Sequence, residues 1–449
     1  MKVLWICNLI LPEIAGQLGL PSIPKEGWVA GLLDSIASRH LEDFHLAIAF
    51  PVSKSIGACT GKVLLTAYPD FEITYYGFVE NTVYPERYDL RVEKQFLEIY
   101  SNCCPDVVHI FGTEFGHTLA AAKAWNEPER LLIGMQGVCT QIADHYMAHL
   151  PGYVRNGFSF RDLIRLDTLR MQKHKFAKRG DHERKAISLA GHVAGRTDFD
   201  YKNVKQWNPE VIYHHGGESL RPLFYEGRSW ENSFSNRHRI FFSQADYPLK
   251  GFHYLLMAAG ELMRLEEEGP DGEITRPYED LEIYVAGQSL VNYESIKDRI
   301  KISGYGSYLR TLISREKLTT RVHILGRLSQ EEMVNQYCLA GVYVCASACE
   351  NSPNSLAEAM MLGVPSVASR VGGVASMFSE EDGYLFSLEK DMSLQQVVEN
   401  LKNAILQCWE NPEETENRRL HGMARALADH DRDQIAQEFL DIYQEMSST

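Results

Sequence analysis

Short apolar runs recur along this chain at strand length, each closed by turn residues and separated from the next by an amphipathic segment, and the series occurs twice. KVLWICNL, HLAIAF, FEITYY, DVVHIF, LLIGMQ and HVAGRT form the first series; RIFFSQ, LEIYVAG, VHILGR, VYVCAS and PSVAS form the second. Runs of this length predict strands buried on both faces. The stretches between them, such as WVAGLLDSIASRH and SQEEMVNQYCLA, predict the covering helices. Around residues 208–238 the pattern loosens into a stretch rich in Gly, Asn, Ser and Arg, which marks a boundary. The expected fold class is α/β, with two doubly wound domains facing each other across a cleft. We expect an N-terminal domain over 1–225 and a C-terminal domain over 235–430. A final amphipathic helix over 431–449, carried by DQIAQEFLDIYQEM, is expected to pack back toward the N-terminal domain. The length of 449 residues independently predicts two cores rather than one.

Composition narrows the function classes. A formal net charge of −15 argues against general nucleic-acid binding, which needs a basic face. No run of eighteen apolar residues occurs, and the N-terminus reads as a first strand rather than a signal peptide. Nine cysteines without a repeated C-x-x-C spacing predict reduced thiols and a cytoplasmic location. Residues 155–185 run against the acidic average, with ten Lys or Arg against four acids, interleaved with Phe158, Phe160, Leu163, Ile164 and Phe176. Such a stretch suits either peripheral contact with the inner face of an anionic membrane or an ordinary helix packing one stripe inward.

The stretch ENSPNSLAE carries the chemistry. It follows the apolar run VYVCA and precedes AMMLG. Pro353, Asn354 and Ser355 are helix-start residues, with Asn354 or Ser355 as the cap, and Gly363 ends the helix after little more than two turns. A helix amino end has unpaired N–H groups and positive partial charge, so it accepts a phosphate. Glu350 stands at the entry to that site and Glu358 one turn inside. Carboxylates beside a phosphate need hydroxyl partners, and sugars supply hydroxyls in pairs. One glutamate on a ribose and the other on a transferred sugar make a nucleotide-sugar site.

These residues resemble the E-x7-E signature of the retaining GT-B glycosyltransferases of family 4, the glycosyl transferases group 1. PDVVHIFG, VHILGRLSQEEMVNQYCLAGVYVCAS, LGVPSVASRVGG and EDGYLF extend the resemblance in the same order, most strongly over 321–386. The resemblance implies a GT-B fold of two Rossmann-like domains and retaining transfer of a hexosyl or N-acetylhexosaminyl group from a nucleotide-diphosphate sugar. UDP is the default nucleotide on family frequency. A saccharide or lipid-linked hydroxyl would accept the sugar, in surface polysaccharide or glycolipid synthesis. It further implies that Glu350 contacts the donor sugar, that Glu358 holds the ribose, and that Asn351, Ser352, Pro353, Asn354, Ser355 and Leu356 hold sugar and phosphate through the backbone. Lys250, in YPLKG, matches the basic residue that grips the diphosphate. Gln244 stands where the family usually carries an Arg, and Arg327 lies near the base contacts. Gly27, with Gly16 as second choice, matches the glycine turn facing the diphosphate.

On the acceptor side, Phe111 replaces the second histidine that many relatives carry. Glu114 and His117 are then the nearest groups able to take a proton or orient a hydroxyl. Gln136, His145 and Arg196 are further candidates, while His109 reads as a core histidine. TDFD resembles a metal-binding D-x-D triplet, but Asp198 as a helix cap explains it. No essential metal and no cofactor is expected, the nucleotide-sugar being a substrate. The alternative readings are a non-catalytic GT-B partner subunit and a nucleotide-sugar epimerase or phosphorylase of the same fold.

Overall fold

The structure is a computed structural model, in which residues 1–20, 27–231, 237–287 and 301–448 are described. The chain divides into two compact units. Unit 1 comprises Met1–Ala143, Lys175–Pro222 and Asp429–Thr449; unit 2 comprises Asp144–His174 and Leu223–Ala428.

Unit 1 holds an eight-stranded sheet: β1 (Lys2–Ile6), β2 (His45–Val52), β3 (Cys59–Leu64), β4 (Glu72–Val79), β5 (Val107–Phe111), β6 (Leu131–Gly134), β7 (His192–Gly195) and β8 (Ile212–His215). The order is β3-β4-β2-β1-β5-β6-β7-β8, parallel throughout except for the antiparallel β3–β4 pair. Alternate side chains of β1 enter opposite layers. Val3 and Trp5 pack with α1 (Gly27–Ala37) and the C-terminal helix (Arg432–Ser447). Leu4 and Ile6 pack with α2 (Leu90–Cys103) and α3 (Gly116–Trp125). Burial on both faces is what continuous apolar runs require. The C-terminal helix is tied into this core by Tyr443. The Trp5 indole N–H donates to its hydroxyl at 3.0 Å, and that hydroxyl shares a hydrogen bond with His109 Nδ1 at 2.7 Å. Burial pushes His109 down to about 3, so it is a neutral core histidine.

Unit 2 holds a six-stranded sheet: β9 (Arg239–Phe242), β10 (Glu282–Ala286), β11 (Val322–Gly326), β12 (Val342–Cys345), β13 (Ser366–Ser369) and β14 (Tyr384–Phe386). Its order is β11-β10-β9-β12-β13-β14, all parallel. The strand order reverses at β9, where β12 takes the other side, and that is the switch point at which such sheets bind ligands.

Two differences from the sequence reading have physical causes. The N-terminal unit is not the continuous span 1–225, because 144–174 belongs to unit 2. That segment contains α4 (Phe160–Ile164) and the first residues of α5 (Leu169–Ile187). It is held by contacts that no periodicity reveals. His253 Nε2 meets Ala148 O at 2.7 Å, His149 Nδ1 meets Tyr254 O–H at 2.8 Å, and Gly304 N–H donates to Asp162 at 2.7 Å. The loosened stretch at 208–238 also contains a strand, β8, an edge strand of sequence IYHH with no residue fully buried. The expected start of the C-terminal domain, residue 235, lies outside the described residues.

Candidate functional site

In unit 2 two loops meet at the carboxyl ends of β9 and β12. After β9 the chain passes through Ser243 to Tyr247, makes a single turn over Pro248–Lys250, and enters α6 (Phe252–Leu262) at Gly251. Gly251 is required there: its φ is +75°, and a Cβ would lie 1.9 Å from the Ala346 carbonyl oxygen. This close approach lets Ala348 N–H donate to Leu249 O at 2.7 Å, fastening one loop to the other. Lys250 Nζ then donates to Glu350 Oε1 at 2.5 Å, and Ser347 Oγ to the same oxygen at 2.7 Å. Ser347 is itself fixed by Ser369 Oγ, which donates to its carbonyl at 2.6 Å. Burial alone would lower the Lys250 ammonium, but the Glu350 carboxylate outweighs it and holds the lysine above its ordinary value, fully charged.

Glu350 leads into α9 (Asn354–Met361), whose cap is Pro353. The expected side-chain cap from Asn354 or Ser355 is not formed, because both residues are already inside the helix. Ser355 instead ties the helix start to its neighbours. Its Oγ accepts from Tyr343 O–H at 2.8 Å, and its carbonyl accepts from Tyr337 O–H at 2.8 Å. Tyr343 also meets Ser243 Oγ at 3.0 Å, bridging from the end of β9. The helix ends at Leu362, followed by Gly363 at φ +70°. Glu358 is only 5% exposed, with Tyr337 O–H 3.3 Å from Oε2. A glutamate favoured only by the helix dipole would stand in water; this one is inside. Tyr337 belongs to α8 (Gln330–Cys338), started by a Ser329–Glu332 capping box.

Not every expected donor residue has the geometry assigned to it. Leu356 N–H already donates to Pro353 O at 2.9 Å, so it is spent inside the helix. Asn351 and Pro353 are buried beside Glu350, and Ser352 Oγ lies 3.6 Å from Met377 Sδ. Gln244 Nε2 donates to Asp246 at 3.1 Å, so the position brings no positive charge. Arg327 is exposed just past β11. In unit 1, Gly27 is the first residue of α1, and residues 21–26 before it lie outside the described residues. Gly16 is inside the helix Pro12–Gln17 rather than in a turn.

Unit 1 has its own pocket of ≈ 440 Å³, counted out to its mouth, where β5 to β8 end. Phe111, Gln136, Arg196 and Glu218 line it. Arg196 pairs with Glu218, and burial lowers the guanidinium from its ordinary value. Glu114 lies beside it: its carboxylate accepts Gly137 N–H at 3.1 Å, and a Cβ on Gly112 would fall 2.6 Å from Oε2 and 2.9 Å from Gln136 Oε1. His117 is elsewhere. It is buried on α3, with Nδ1 2.7 Å from Glu80 and its ring stacked on Phe115, and so cannot orient a bound hydroxyl. His145 falls in unit 2 and Gln136 in unit 1. TDFD is a helix start, but Thr197 is the cap and Asp200 completes the box, rather than Asp198. Glu218, in the sequence GGES, was not anticipated; a polar residue just after a strand's carboxyl end is the signal that would have found it.

Residues 237–411 match the family model described as glycosyl transferases group 1. No curated protein sequence matches the chain. Among solved structures, sucrose-phosphate synthase from Thermosynechococcus elongatus is similar over 100% of both chains, at 14% identity and TM-score 0.66. Anabaena HepE in complex with UDP-glucose is similar over 100% of both chains, at 15% identity and TM-score 0.60. The UDP-forming α,α-trehalose-phosphate synthase from Burkholderia vietnamiensis covers 99% of this chain and 100% of its own, at 11% identity and TM-score 0.62. At these identities the likeness is one of fold. The chain has the GT-B fold of two Rossmann-like units, and residues 237–411 are similar to the glycosyl transferases group 1 domain.

Proposed function

We propose that the chain is a retaining glycosyltransferase of family 4 that moves a hexosyl or N-acetylhexosaminyl group from a nucleotide-diphosphate sugar, by default UDP-linked, to an acceptor hydroxyl. The observation that carries this reading is the Lys250–Glu350 pair set at the amino end of α9, with Glu358 buried one turn further along. Lys250 and the helix end face the leaving diphosphate. Glu350 orients the sugar, and Glu358 takes the ribose hydroxyls.

Unit 1 then binds the acceptor, with Glu114, Gln136 and Arg196 at the ends of its strands. The acceptor hydroxyl attacks from the face the diphosphate leaves, and the departing phosphate oxygen takes its proton. The residues' main task is stabilising charge on the leaving group, where a single well-placed donor is typically worth about 10²–10³ in rate. Lys250 and the helix end supply that charge themselves, so no divalent metal is required. A cytoplasmic role in surface polysaccharide or glycolipid synthesis fits this chemistry.

The test is nucleoside diphosphate release from UDP-, GDP- and ADP-sugars in the presence of a chelator, with the anomer of the transferred or hydrolysed sugar followed by NMR. Release from one donor class, with the α-anomer appearing first from an α-linked donor, is the expected result. A β-anomer appearing first would overturn retention, and release only with added metal would overturn the charge assignment.

A further inference from the structure

Helix α4 is built inside out. Its one acidic residue, Asp162, is 4% exposed, while Phe160 and Ile164 are each 66% exposed and Leu163 47%. The inversion is enforced by polar anchoring. Asp162 closes a capping box with Ser159 and accepts Gly304 N–H, at 2.7 Å, from the start of α7 (Gly304–Arg315). Arg161 Nη1 adds a bond to the same carboxylate at 3.1 Å. With the polar side pinned to unit 2, residues 160, 163 and 164 share the outward face, as their spacing dictates. Tyr153, Phe158 and Leu166, flanking the helix in the chain, are exposed as well. Seven of the nineteen exposed large apolar side chains among the described residues lie between Tyr153 and Met171. An ordinary surface scatters such groups singly, whereas a cluster of this kind marks a surface meant to be covered.

The charges around the cluster indicate what covers it. Arg155, Arg165 and Arg170 are exposed on the same segment, while its two acids between 155 and 170 are buried or half-buried. The protein as a whole carries −15. A second copy docking through a two-fold axis would set these arginines against their own equivalents. An anionic bilayer meets both requirements at once, with phosphates for the arginines and acyl chains for the aromatic and aliphatic groups. We propose that residues 153–171 dock the protein on an anionic phospholipid surface, with α4 lying in the interface. Among the described residues no helix is long and apolar enough to cross a membrane, so this segment would hold the protein on the surface rather than through it.

The test is flotation of the full chain with phosphatidylcholine vesicles, with and without phosphatidylglycerol, at low and high salt. The protein should bind the anionic vesicles and bind the neutral ones far less. Phe160→Ser with Ile164→Ser should weaken binding by roughly ten-fold or more. Arg165→Glu with Arg170→Glu should abolish the preference for anionic lipid. Circular dichroism of both variants should match the wild type, since the altered side chains face outward. The proposal fails if the wild type does not float with anionic vesicles, or if the apolar variant floats equally well. It also fails if the wild type sediments as a concentration-dependent dimer that the apolar substitutions dissociate, because a second copy would then occupy the face.

Discussion

Replacing Glu350 by Gln should tighten binding of free UDP while slowing sugar transfer. In the structure Lys250 is charged and paired with Glu350 across 2.5 Å, so a diphosphate engages the lysine in competition with that carboxylate. Glutamine keeps the carbonyl that accepts from Ser347 Oγ, 2.7 Å away in the wild type, but removes the charge. Ion pairs with solvent access are worth up to about 1 kcal/mol, and 1.4 kcal/mol is a factor of ten in affinity. The released lysine should therefore bind UDP up to about five-fold more tightly. Turnover should fall, because the group assigned to the sugar hydroxyls has lost its charge. Isothermal titration with UDP, beside nucleoside diphosphate release from the sugar donor, reads both arms. If UDP binding weakens, Glu350 is part of the nucleotide's own contacts and not a restraint on Lys250, and the assignment of roles is wrong.

Three other perturbations probe the scaffold. Burial raises the Glu183 carboxyl to about 8, although hydrogen bonds from Thr113 and from the Cys139 and Thr140 amides oppose it. The folded chain thus keeps a proton that the unfolded chain releases near 4.5, and this group's contribution to stability declines as pH rises from about 4.5 to about 8. Glu183→Gln should flatten that decline and melt at higher temperature than wild type, with the gap widening toward pH 8; a pH-independent gap would contradict the burial argument. Gly251→Ala, whose Cβ would lie 1.9 Å from Ala346 O, should cost about 2–4 kcal/mol by urea unfolding and weaken UDP binding, whereas Gly16→Ala, with nothing within 4 Å, should be neutral or stabilising. Tyr443→Phe leaves the Trp5 indole N–H and His109 Nδ1 without their shared hydroxyl and should destabilise unit 1 by roughly 2–4 kcal/mol; an unchanged urea midpoint would refute that estimate.

The strands legible in the sequence are those buried on both faces, since continuous apolar runs such as VVHIF and VYVC have no other use in a chain of this kind. β3 escaped because it is an antiparallel edge strand, CTGKVL, none of whose residues is fully buried. β14 appeared only as part of the EDGYLF motif, being three residues long. At the site, Glu350, Glu358 and Lys250 stood out by motif, but their mutual arrangement did not. Lys250 and Glu350 are a hundred residues apart, and Gly251, which permits their meeting, reads in sequence as one more loop glycine. Tyr337 and Tyr343 look like core aromatics; only in the structure do their hydroxyls hold the start of α9. His117 was misplaced because a histidine's burial depends on its helix. GHTLAAA offers no polar face, and all of Gly116–Ala122 is buried. The inward turn of Asp162 was equally hidden, because Gly304, its anchor, is supplied from 142 residues away.

The most direct test of the proposed donor site is a thermal-shift comparison of wild type and Glu358→Ala against UDP, GDP, ADP and their sugar conjugates, without metal. A ligand at a hundred times its dissociation constant stabilises a fold by roughly 2.7 kcal/mol. The site described predicts a clear shift with one nucleotide class, UDP first, and its loss in Glu358→Ala. A shift that survives in Glu358→Ala, or none with any nucleotide, would contradict a donor site at Glu350, Glu358 and Lys250.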